Sequence, residues 1–315
     1  MGCSALGNLY RSMSDGEAHE AVTSALAAGI RYFDVAPLYG FGLAEQRLGN
    51  ALASDPEVVI STKVGRVLRP TTSSGVRDGF VDALAFAPVF DYSFAGVMSS
   101  YEASRSRLRD SRVEILLAHD LGAQTHGSRS AEMTKTFLEG GYRAMRQLQA
   151  AGEIDAIGIG VNETAICEEL LDTVDLDVIL LAGRYTLLEQ GALPLLDRCA
   201  RLGVQVIIGG PFNSGLLVEA DTLHYNYQAP PQHIVTRVHA LRAVCAQFGV
   251  PLPAAALQFP TAHPAVSCVL PGLASTQQVE QTLHWRSQRI PAELWEALRA
   301  ANLLDTAAPV PRDSM

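Results

Sequence analysis

Four side chains that can exchange a proton with an oxygen atom follow three apolar segments of the sequence. Asp34 ends the β-rich stretch of "IRYFDVAPLYG", and Tyr39 follows five residues later. Pro37 cannot continue a central strand, so Tyr39 is expected on the loop beyond it. Lys63 comes near the end of "VVISTKVG", and His119 comes near the end of "VEILLAHD". The pattern therefore places the four titratable side chains at or just beyond the carboxyl ends of three predicted strands.

These four residue types together suit the transfer of one proton. A phenol with an unperturbed pKa of about 10 is a poor base near neutral pH, but a lysine ammonium beside it favours the phenolate. A carboxylate such as Asp34 would keep that ammonium charged, and His119 could hydrogen-bond a substrate oxygen. No nucleophile or metal set accompanies them. The electron transfer therefore requires a cofactor, most economically a nicotinamide that exchanges a hydride.

Each residue also has a structural interpretation, because Asp is common in turns, Tyr in cores and Lys at strand ends. Their shared position at one end of neighbouring strands favours the catalytic interpretation. A Schiff-base aldolase with Lys63 as nucleophile is an alternative, which would require an uncharged lysine. A non-catalytic regulatory subunit that senses nicotinamide is a second alternative.

The rest of the chain alternates strand-like and helix-like segments. Strands are predicted at 2–5, 31–34, 58–63, 113–119, 154–159, 176–181, 204–208 and 266–270. Helical periodicity covers 17–28, 43–53, 99–110, 132–151, 165–171, 192–202 and 234–248. This alternation predicts an α/β fold with a parallel sheet, either closed as a (β/α)8 TIM barrel or open and doubly wound. With no linker or break in composition, residues 1–315 are predicted to form a single domain.

The composition of the chain limits the classes of molecule that it is expected to bind. The 24 basic and 33 acidic residues give a formal charge of −9, which disfavours nucleic acid and anionic membranes as partners. The five cysteines form no CxxC pair, so buried thiols in a reducing compartment are expected rather than disulfides or a metal site. With no signal-like start and no apolar run near 18 residues, the protein is expected to be soluble and cytoplasmic. The oligomeric state is left open.

Two long insertions are predicted to shape a substrate pocket. Residues 66–97 and 218–233 both follow a strand and would rise over the carboxyl face of the sheet. Their polar and aromatic residues, with His126, suit a hydroxylated ligand. The candidate pocket residues are Tyr92, His126, His224, Tyr225, Asn226 and Tyr227.

The order and spacing of Asp34, Tyr39, Lys63 and His119 resemble the catalytic tetrad of the aldo-keto reductase superfamily. The resemblance extends through "STKVG", "LLAHD", "IGIGVNE" and "AALQFPTAHPAVSCVLPG". It implies a (β/α)8 barrel that binds a nicotinamide cofactor without a Rossmann domain, in line with the lack of an early GxGxxG. The sequence is most similar to the bacterial branch of sugar dehydrogenases, of the L-fucose or D-threo-aldose type, and of pyridoxal dehydrogenases. An aldose hemiacetal oxidised to a lactone, or pyridoxal, is the expected substrate, and a general aldehyde or ketone reductase is the alternative.

The resemblance also implies cofactor contacts. Asn162 matches the position that contacts the nicotinamide carboxamide, whereas the family's glutamine would fall on Ala182 and its stacking tyrosine on Gly209. The backbone of a glycine-containing loop would then flank the ring. Beyond these, a turn that opens a helix suits the phosphates of the cofactor. The candidate cofactor residues are Asn162, Gly209, Gly210, Pro211, Gly215, Gly272, Ser275, Gln278 and Glu280.

The charge of that turn favours NAD over NADP. No basic residue occurs between Arg242 and Arg286, so the 2′-phosphate of NADP would lack a charge-assisted partner. Glu280 could accept hydrogen bonds from ribose hydroxyls instead. Arg286 or Arg289 folding back to the ribose would reverse this preference.

Overall fold

A computed structural model of the chain describes residues 1–52, 57–218 and 229–312. Strands alternate with helices along these residues, as predicted. The strands are β1 (Tyr32–Asp34), β2 (Val59–Val64), β3 (Arg66–Pro70), β4 (Phe86–Phe90), β5 (Ile115–His119), β6 (Ala156–Val161), β7 (Val178–Ala182), β8 (Gln205–Gly209) and β9 (Val266–Leu270). Seven of them follow one another in the order β1-β2-β5-β6-β7-β8-β9, and β3 pairs with β4 separately. The α/β class and the order of a (β/α)8 chain are thereby confirmed.

The helices lie where the periodic segments were predicted, with a few additional ones. They are α1 (Asp15–Ala27), α2 (Leu43–Leu52), α3 (Phe94–Arg107), α4 (Ala123–His126), α5 (Ser130–Thr136), α6 (Tyr142–Ala150), α7 (Ala165–Leu171), α8 (Leu193–Leu202), α9 (Gln232–Gln247), α10 (Leu252–Gln258), α11 (Thr276–Ser287) and α12 (Ala292–Ala300). Local chemistry explains their ends. Ser14 and Glu17 form a reciprocal capping box at the start of α1, and Gly203 adopts the left-handed conformation that ends α8.

Several sequence predictions need correction. The strand predicted at 2–5 is a single residue, because Ser4–Gly7 turns into a short 3-10 helix and Gly2 alone forms parallel bridges with Asp34 and Gly272. The insertion 66–97 is not only a loop, since β3 and β4 pair as an antiparallel hairpin. The long helix predicted at 132–151 is interrupted by one π-helical turn, Phe137–Gly141.

The chain divides into two compact units. Unit 1 comprises Met1–Val161, Glu169–Ile179 and Gly272–Glu280, and unit 2 comprises Asn162–Glu168, Leu180–Pro271 and Gln281–Met315. The single domain predicted over residues 1–315 stays a prediction.

Unit 1 is built on four parallel strands. β1 pairs with β2, β2 with β5 and β5 with β6, and buried apolar residues such as Phe33 and Leu116 fill the core beneath them. Burial of this apolar surface is the main favourable contribution to the stability of the unit.

Unit 2 is built on the parallel pair β8 and β9. Its core includes a row of buried rings, in which the Tyr185 and Phe259 centroids lie 5.2 Å apart and those of Phe259 and Trp295 lie 6.3 Å apart. Such offset ring pairs add stability beyond their buried area.

The cysteines are structural. All five lie within the described residues and none forms a disulfide; Cys3, Cys167, Cys199 and Cys245 are buried. Burial raises the pKa of the Cys3 thiol to about 12, so it is unreactive at neutral pH. Among the described residues, no group of His, Cys, Asp and Glu side chains could hold a metal ion.

No single helix of the described chain is both long and apolar enough to cross a membrane. The bent pair Gln232–Gln247 and Leu252–Ala262 meets the criteria of length and composition only when its two helices are counted together. The cytoplasmic location stays a prediction.

Candidate active site

The register of unit 1 brings the predicted titratable side chains together. Asp34 is the last residue of β1 and pairs with Ser61 of β2, so Lys63 lies two residues further along the same face. Lys63 pairs in turn with Leu117 of β5, and His119 lies two residues beyond it. Side chains two residues apart on a strand point to the same side of the sheet. The stagger of the strands therefore directs all three side chains toward one edge.

Lys63 connects the acid to the phenol. Its buried Nζ donates to Asp34 Oδ2 at 2.7 Å, to the carbonyl oxygen of Val35 at 2.9 Å and to the Tyr39 hydroxyl oxygen at 3.2 Å. The same ammonium lies 4.7 Å from the centroid of the Tyr39 ring. The three N–H bonds of the ammonium each have an acceptor, so this side chain is held in one position.

The ammonium form of Lys63 is stabilised by its partners. Burial lowers the pKa of Lys63, but the Asp34 carboxylate and the Tyr39 phenol outweigh it, and the pKa lies above the ordinary value. The carboxylate is held at its other oxygen, since Ser61 Oγ donates to Asp34 Oδ1 at 2.7 Å. Ser61 Oγ also lies 2.7 Å from the Tyr32 hydroxyl oxygen. Asp34 therefore acts as a fixed counterion to Lys63.

A close approach of two glycines positions Tyr39. A Cβ on Gly7 would lie 2.5 Å from the Tyr39 carbonyl carbon, and a Cβ on Gly40 would lie 2.5 Å from the Gly7 oxygen. Gly40 also has a φ of 63°, a conformation that favours glycine. The loop that carries Tyr39 therefore packs directly on the short helix Ser4–Gly7.

His119 lies edge-on to Tyr39, with ring centroids 6.1 Å apart and planes at 87°. Burial lowers the pKa of His119 to about 3, since the nearby Asp120 carboxylate compensates only partly and Arg66 and Lys63 oppose a further positive charge. The imidazole is thus neutral at physiological pH. His119 Nε2 lies 3.5 Å from Asp120 Oδ2.

The tautomer of His119 follows from these surroundings. Its Nδ1 is buried with no hydrogen-bond partner among the described residues. A carboxylate oxygen beside Nε2 repels a lone pair and attracts a proton, so the neutral ring is expected to carry its hydrogen on Nε2. His119 can then donate a hydrogen bond to a substrate oxygen.

Sequence reasoning missed the ion pair that borders His119. Arg66 Nη2 donates to Asp120 Oδ2 at 2.5 Å, and the two side chains are 12% and 16% exposed. Asp120 directly follows His119 in "LLAHD", which could have suggested it. Nothing in the sequence pairs it with Arg66, which is 54 residues away.

The structure places two of the predicted pocket residues beside this pair. Tyr92 Oη donates to the His119 carbonyl oxygen at 2.6 Å and lies 3.0 Å from His126 Nε2. The Arg66 guanidinium carbon lies 4.4 Å from the centroid of the Phe90 ring. The centroids of the Phe90 and His126 rings lie 4.5 Å apart. The other predicted pocket residues, His224, Tyr225, Asn226 and Tyr227, lie outside the described residues.

In unit 2, Asn162 is held by its backbone. Arg184 Nε donates to the Asn162 carbonyl oxygen at 2.6 Å, and Arg184 Nη1 lies 3.3 Å from Glu189 Oε2. Asn213, which the sequence analysis did not name, donates to Glu189 Oε1 at 3.2 Å. Its own Oδ1 is buried without a partner in the described chain. The network thus fixes Asn162 and leaves one polar atom of Asn213 unsatisfied.

The other unit 2 candidates lie at the end of β8 and in the turns that follow it. Gly209 accepts a hydrogen bond from the backbone N–H of Gly183 at 3.0 Å. Gly210 and Gly215 have φ values of 58° and 96°, and Pro211 lies between them. Positive φ angles bring successive backbone N–H groups to one side of a turn.

In unit 1, the turn that begins α11 is partly occupied by its own side chains. Gln278 Oε1 accepts a hydrogen bond from the Ala274 N–H at 2.7 Å, and the Gln278 N–H donates to Ser275 Oγ at 3.2 Å. Gly272 and Glu280 are exposed, and a Cβ on Gly272 would meet no atom within 4 Å. The chain turns at these residues, and Gln278 caps the turn. Its role in binding phosphate stays a prediction.

Comparison with known proteins identifies the family of the chain. Residues 1–303 match the model of the aldo/keto reductase family. The chain is 40% identical to pyridoxal 4-dehydrogenase from Microbacterium luteolum over 96% of this chain and 93% of that protein. It is 36% identical to D-threo-aldose 1-dehydrogenase from Pseudomonas sp over 97% and 94% of the two chains.

The fold agrees as well. An aldo-keto reductase from Bacillus halodurans in its holo form superposes with a TM-score of 0.74 at 24% identity, over 98% of this chain and 92% of that one. The glycerol dehydrogenase of Gluconobacter oxydans gives 0.73 at 20% identity, over 100% and 93%. The predicted (β/α)8 barrel class is confirmed. The chain belongs to the aldo/keto reductase family and is an oxidoreductase that uses a nicotinamide cofactor.

Proposed function

We propose that this protein oxidises the hemiacetal carbon of an aldose to a lactone, with NAD as cofactor and Tyr39 as the residue that takes the proton. The observation that carries the proposal is the position of the Lys63 ammonium, which contacts both the Asp34 carboxylate and the Tyr39 hydroxyl oxygen. A cation at this distance stabilises the phenolate relative to the phenol. Tyr39 is then a base in the oxidation and an acid in the reverse reaction.

The remaining residues of the tetrad orient the substrate and hold the charge. The neutral His119 donates from Nε2 to the hydroxyl oxygen of the substrate and directs that oxygen to Tyr39. The Asp34 carboxylate offsets the positive charge of Lys63, so that the ammonium is retained in the buried site. The substrate hydroxyl gives its proton to Tyr39 as its carbon loses a hydride.

The cofactor supplies one chemical property, the capacity to accept that hydride. Its proposed carboxamide contacts fit the unit 2 network. Asn162 presents an amide that no described residue engages, and the buried Asn213 Oδ1 lacks a donor that a carboxamide N–H would provide. The turn of Gly209, Gly210, Pro211 and Gly215 offers backbone to flank a ring.

The residues proposed to contact the adenosine end of the cofactor favour NAD over NADP. Ser275, Gln278 and Glu280 offer neutral donors and a carboxylate, and the turn itself carries no cation. Arg286 lies ten residues beyond Thr276 on α11, which is about 15 Å along a helix axis. A 2′-phosphate would lose charge-assisted hydrogen bonds that contribute about 1.5–3 kcal/mol each. The carboxylate of Glu280 suits the two ribose hydroxyls of NAD.

The competing functions are less well supported. An aldolase would require an uncharged Lys63, whereas Asp34 and Tyr39 raise the pKa of this lysine. A regulatory subunit would not require a complete tetrad. Pyridoxal, the substrate named for the 40% identical relative, is the second candidate, because the exposed Phe90 ring could stack on a pyridine ring.

The test is an assay at 340 nm of NADH and NADPH formation with a panel of aldoses, pyridoxal and simple alcohols, and of NADH and NADPH consumption with simple aldehydes. We expect L-fucose or another aldose with NAD to give the highest kcat/KM. Preference for pyridoxal would select the second candidate. Turnover only of simple aldehydes in the reductive direction would select a general reductase and contradict the proposal.

A further inference from the structure

Asp120 is a carboxylate that the proton-transfer chemistry does not use. It follows His119 at the end of β5, with a φ of 52°, and its backbone N–H donates to the Gly160 carbonyl oxygen at 2.9 Å. A left-handed conformation is uncommon for a residue other than glycine. The backbone therefore turns sharply after His119, and this turn directs the carboxylate back beside the imidazole.

The two oxygens of this carboxylate have different surroundings. Oδ2 accepts from Arg66 Nη2 at 2.5 Å and lies 3.5 Å from His119 Nε2. Oδ1 accepts no hydrogen bond from the part of the chain that the structure describes, and it is accessible to solvent. A largely buried carboxylate with one unsatisfied oxygen is costly unless a ligand or solvent completes it.

Arg66 fixes the carboxylate and keeps it ionised. Burial raises the pKa of Asp120, but the neighbouring His119 and the Arg66 guanidinium lower it by more. The guanidinium is itself held over the Phe90 ring at 4.4 Å. Asp120 is thus an oriented acceptor with no hydrogen to donate.

The position of this acceptor relative to His119 decides what it can bind. His119 Nε2 is the atom that donates to the reacting oxygen of the substrate. Asp120 Oδ2 lies 3.5 Å from that nitrogen, and Oδ1 belongs to the same carboxylate. The carboxylate therefore lies within reach of the next hydroxyl along a polyol, because vicinal hydroxyl oxygens lie about 3 Å apart, a hydrogen-bond distance. The O–H group of that neighbouring hydroxyl would donate to Oδ1 the hydrogen bond that no described residue donates.

We propose that Asp120 accepts a hydrogen bond from the hydroxyl on the carbon next to the reacting carbon, and that Arg66 positions it. In an aldose this is the hydroxyl on C2. The inference rests on the proposed function and deepens it, since it assigns the specificity for 2-hydroxy aldoses to one carboxylate. A site built to hydrogen-bond a hydroxyl rejects the analogue without it, because the buried acceptor is then left unpaired.

The experiment compares L-fucose with 2-deoxy-L-fucose in the wild type and in Asp120→Ala and Asp120→Asn, with kcat/KM measured from NADH formation. The wild type should prefer L-fucose by about tenfold to a hundredfold, the range of one hydrogen bond to a charged group. Asp120→Ala should lose activity on L-fucose and bring the ratio of the two substrates near one. Asp120→Asn, whose amide still has an acceptor oxygen, should give an intermediate ratio. Intrinsic differences in reactivity between the two sugars cancel when ratios are compared between variants.

Tyr92→Phe is the matched control. It removes the hydroxyl that donates to the His119 carbonyl oxygen, so it disturbs the same strand end without touching the proposed acceptor. It should lower kcat for both sugars and keep their ratio at the wild-type value.

Three results would overturn the inference. One is a wild-type ratio near one, and another is a wild-type ratio that persists in folded Asp120→Ala and Asp120→Asn. In either case oxidation of L-fucose by the wild type leaves the proposed function standing. The third is the absence of aldose oxidation by the wild type, which overturns the proposed function as well.

Discussion

At the scale of single residues, Tyr39 and Lys63 carry the proposed proton transfer. Replacement Tyr39→Phe keeps the ring but removes the hydroxyl that Lys63 contacts. We expect turnover to fall by about 100-fold to 10,000-fold, the usual contribution of general acid–base catalysis, and NAD affinity to stay within twofold. Fluorescence quenching would measure NAD binding, and steady-state kinetics would measure kcat. Wild-type turnover in this variant would refute the assignment of Tyr39.

Lys63→Met tests the same pair from the other side. Without the ammonium the phenol loses the charge that stabilises its ionised form, so residual activity should rise toward higher pH. If activity fell by the same factor at every pH, Lys63 would act only by supporting the structure.

At the scale of elements, the contact of Gly7 with the Tyr39 loop is expected to be critical. A methyl group on Gly7 would lie 2.5–2.7 Å from backbone atoms of Tyr39 and Gly40, so the loop would have to move. Gly7→Ala should lower the unfolding free energy by about 1–3 kcal/mol, as overpacking does, and should lower kcat at least tenfold. Thermal unfolding and kinetics would measure the two effects.

Gly16→Ala is the matched control for that variant. Gly16 lies in the first turn of α1, where a Cβ would meet only the Ser14 hydroxyl at 3.9 Å. Alanine should therefore be neutral or stabilising by up to about 1 kcal/mol. Equal loss of activity in both variants would contradict the role given to the Gly7 contact.

The turn before α11 is a second element with a predicted consequence. Gln278→Arg introduces a cation at the position proposed to lie near the 2′-phosphate of NADP, and it should narrow the proposed preference for NAD over NADP in kcat/KM. It also removes the bond between Gln278 and the Ala274 N–H. Gln277→Arg is the control, since it adds the same charge on the exposed helix start while the cap remains. Tighter binding of NADP than of NAD by the wild type would contradict the cofactor proposal.

At the scale of the whole molecule, His119 is expected to make the fold sensitive to acid. Its folded pKa of about 3 lies below the ordinary value of about 6.5 for an unfolded histidine. Between these pH values the unfolded chain binds a proton that the folded chain does not, so stability falls as pH falls. From pH 7 to pH 5 the loss amounts to about 2 kcal/mol.

In the variant His119→Gln, the loss of unfolding free energy between pH 7 and pH 5 should be smaller than in the wild type by about the same 2 kcal/mol. Urea unfolding at the two pH values would measure it. Asp120, Arg66 and Lys63 face the imidazole and remain in the variant, so the difference between the two proteins isolates the histidine. Parallel stability curves for wild type and variant would show that His119 is not buried in its neutral form.

The sequence by itself determined the alternation of elements and indicated the four residues that are proposed to transfer the proton. Apolar runs predict strands, and residues at strand ends face one edge of a parallel sheet. This reasoning required only local pattern, and Asp34, Lys63 and His119 lie at or one residue before the ends of β1, β2 and β5. Their exact mutual distances follow from the stagger of the strands.

Only the tertiary structure decided the contacts between residues distant in sequence. The bond from Arg66 to Asp120 spans 54 residues, and the bond from Asn213 to Glu189 spans 24. Both depend on strand register, on left-handed backbone turns and on side-chain direction, which no periodicity specifies. The hairpin of β3 and β4 was also decided by tertiary structure, because each of its two segments taken alone has the sequence pattern of a loop. Asp34, Lys63 and His119 were thus predictable from strand ends and Tyr39 from the loop beyond one of them. The carboxylate proposed to bind a substrate hydroxyl was not.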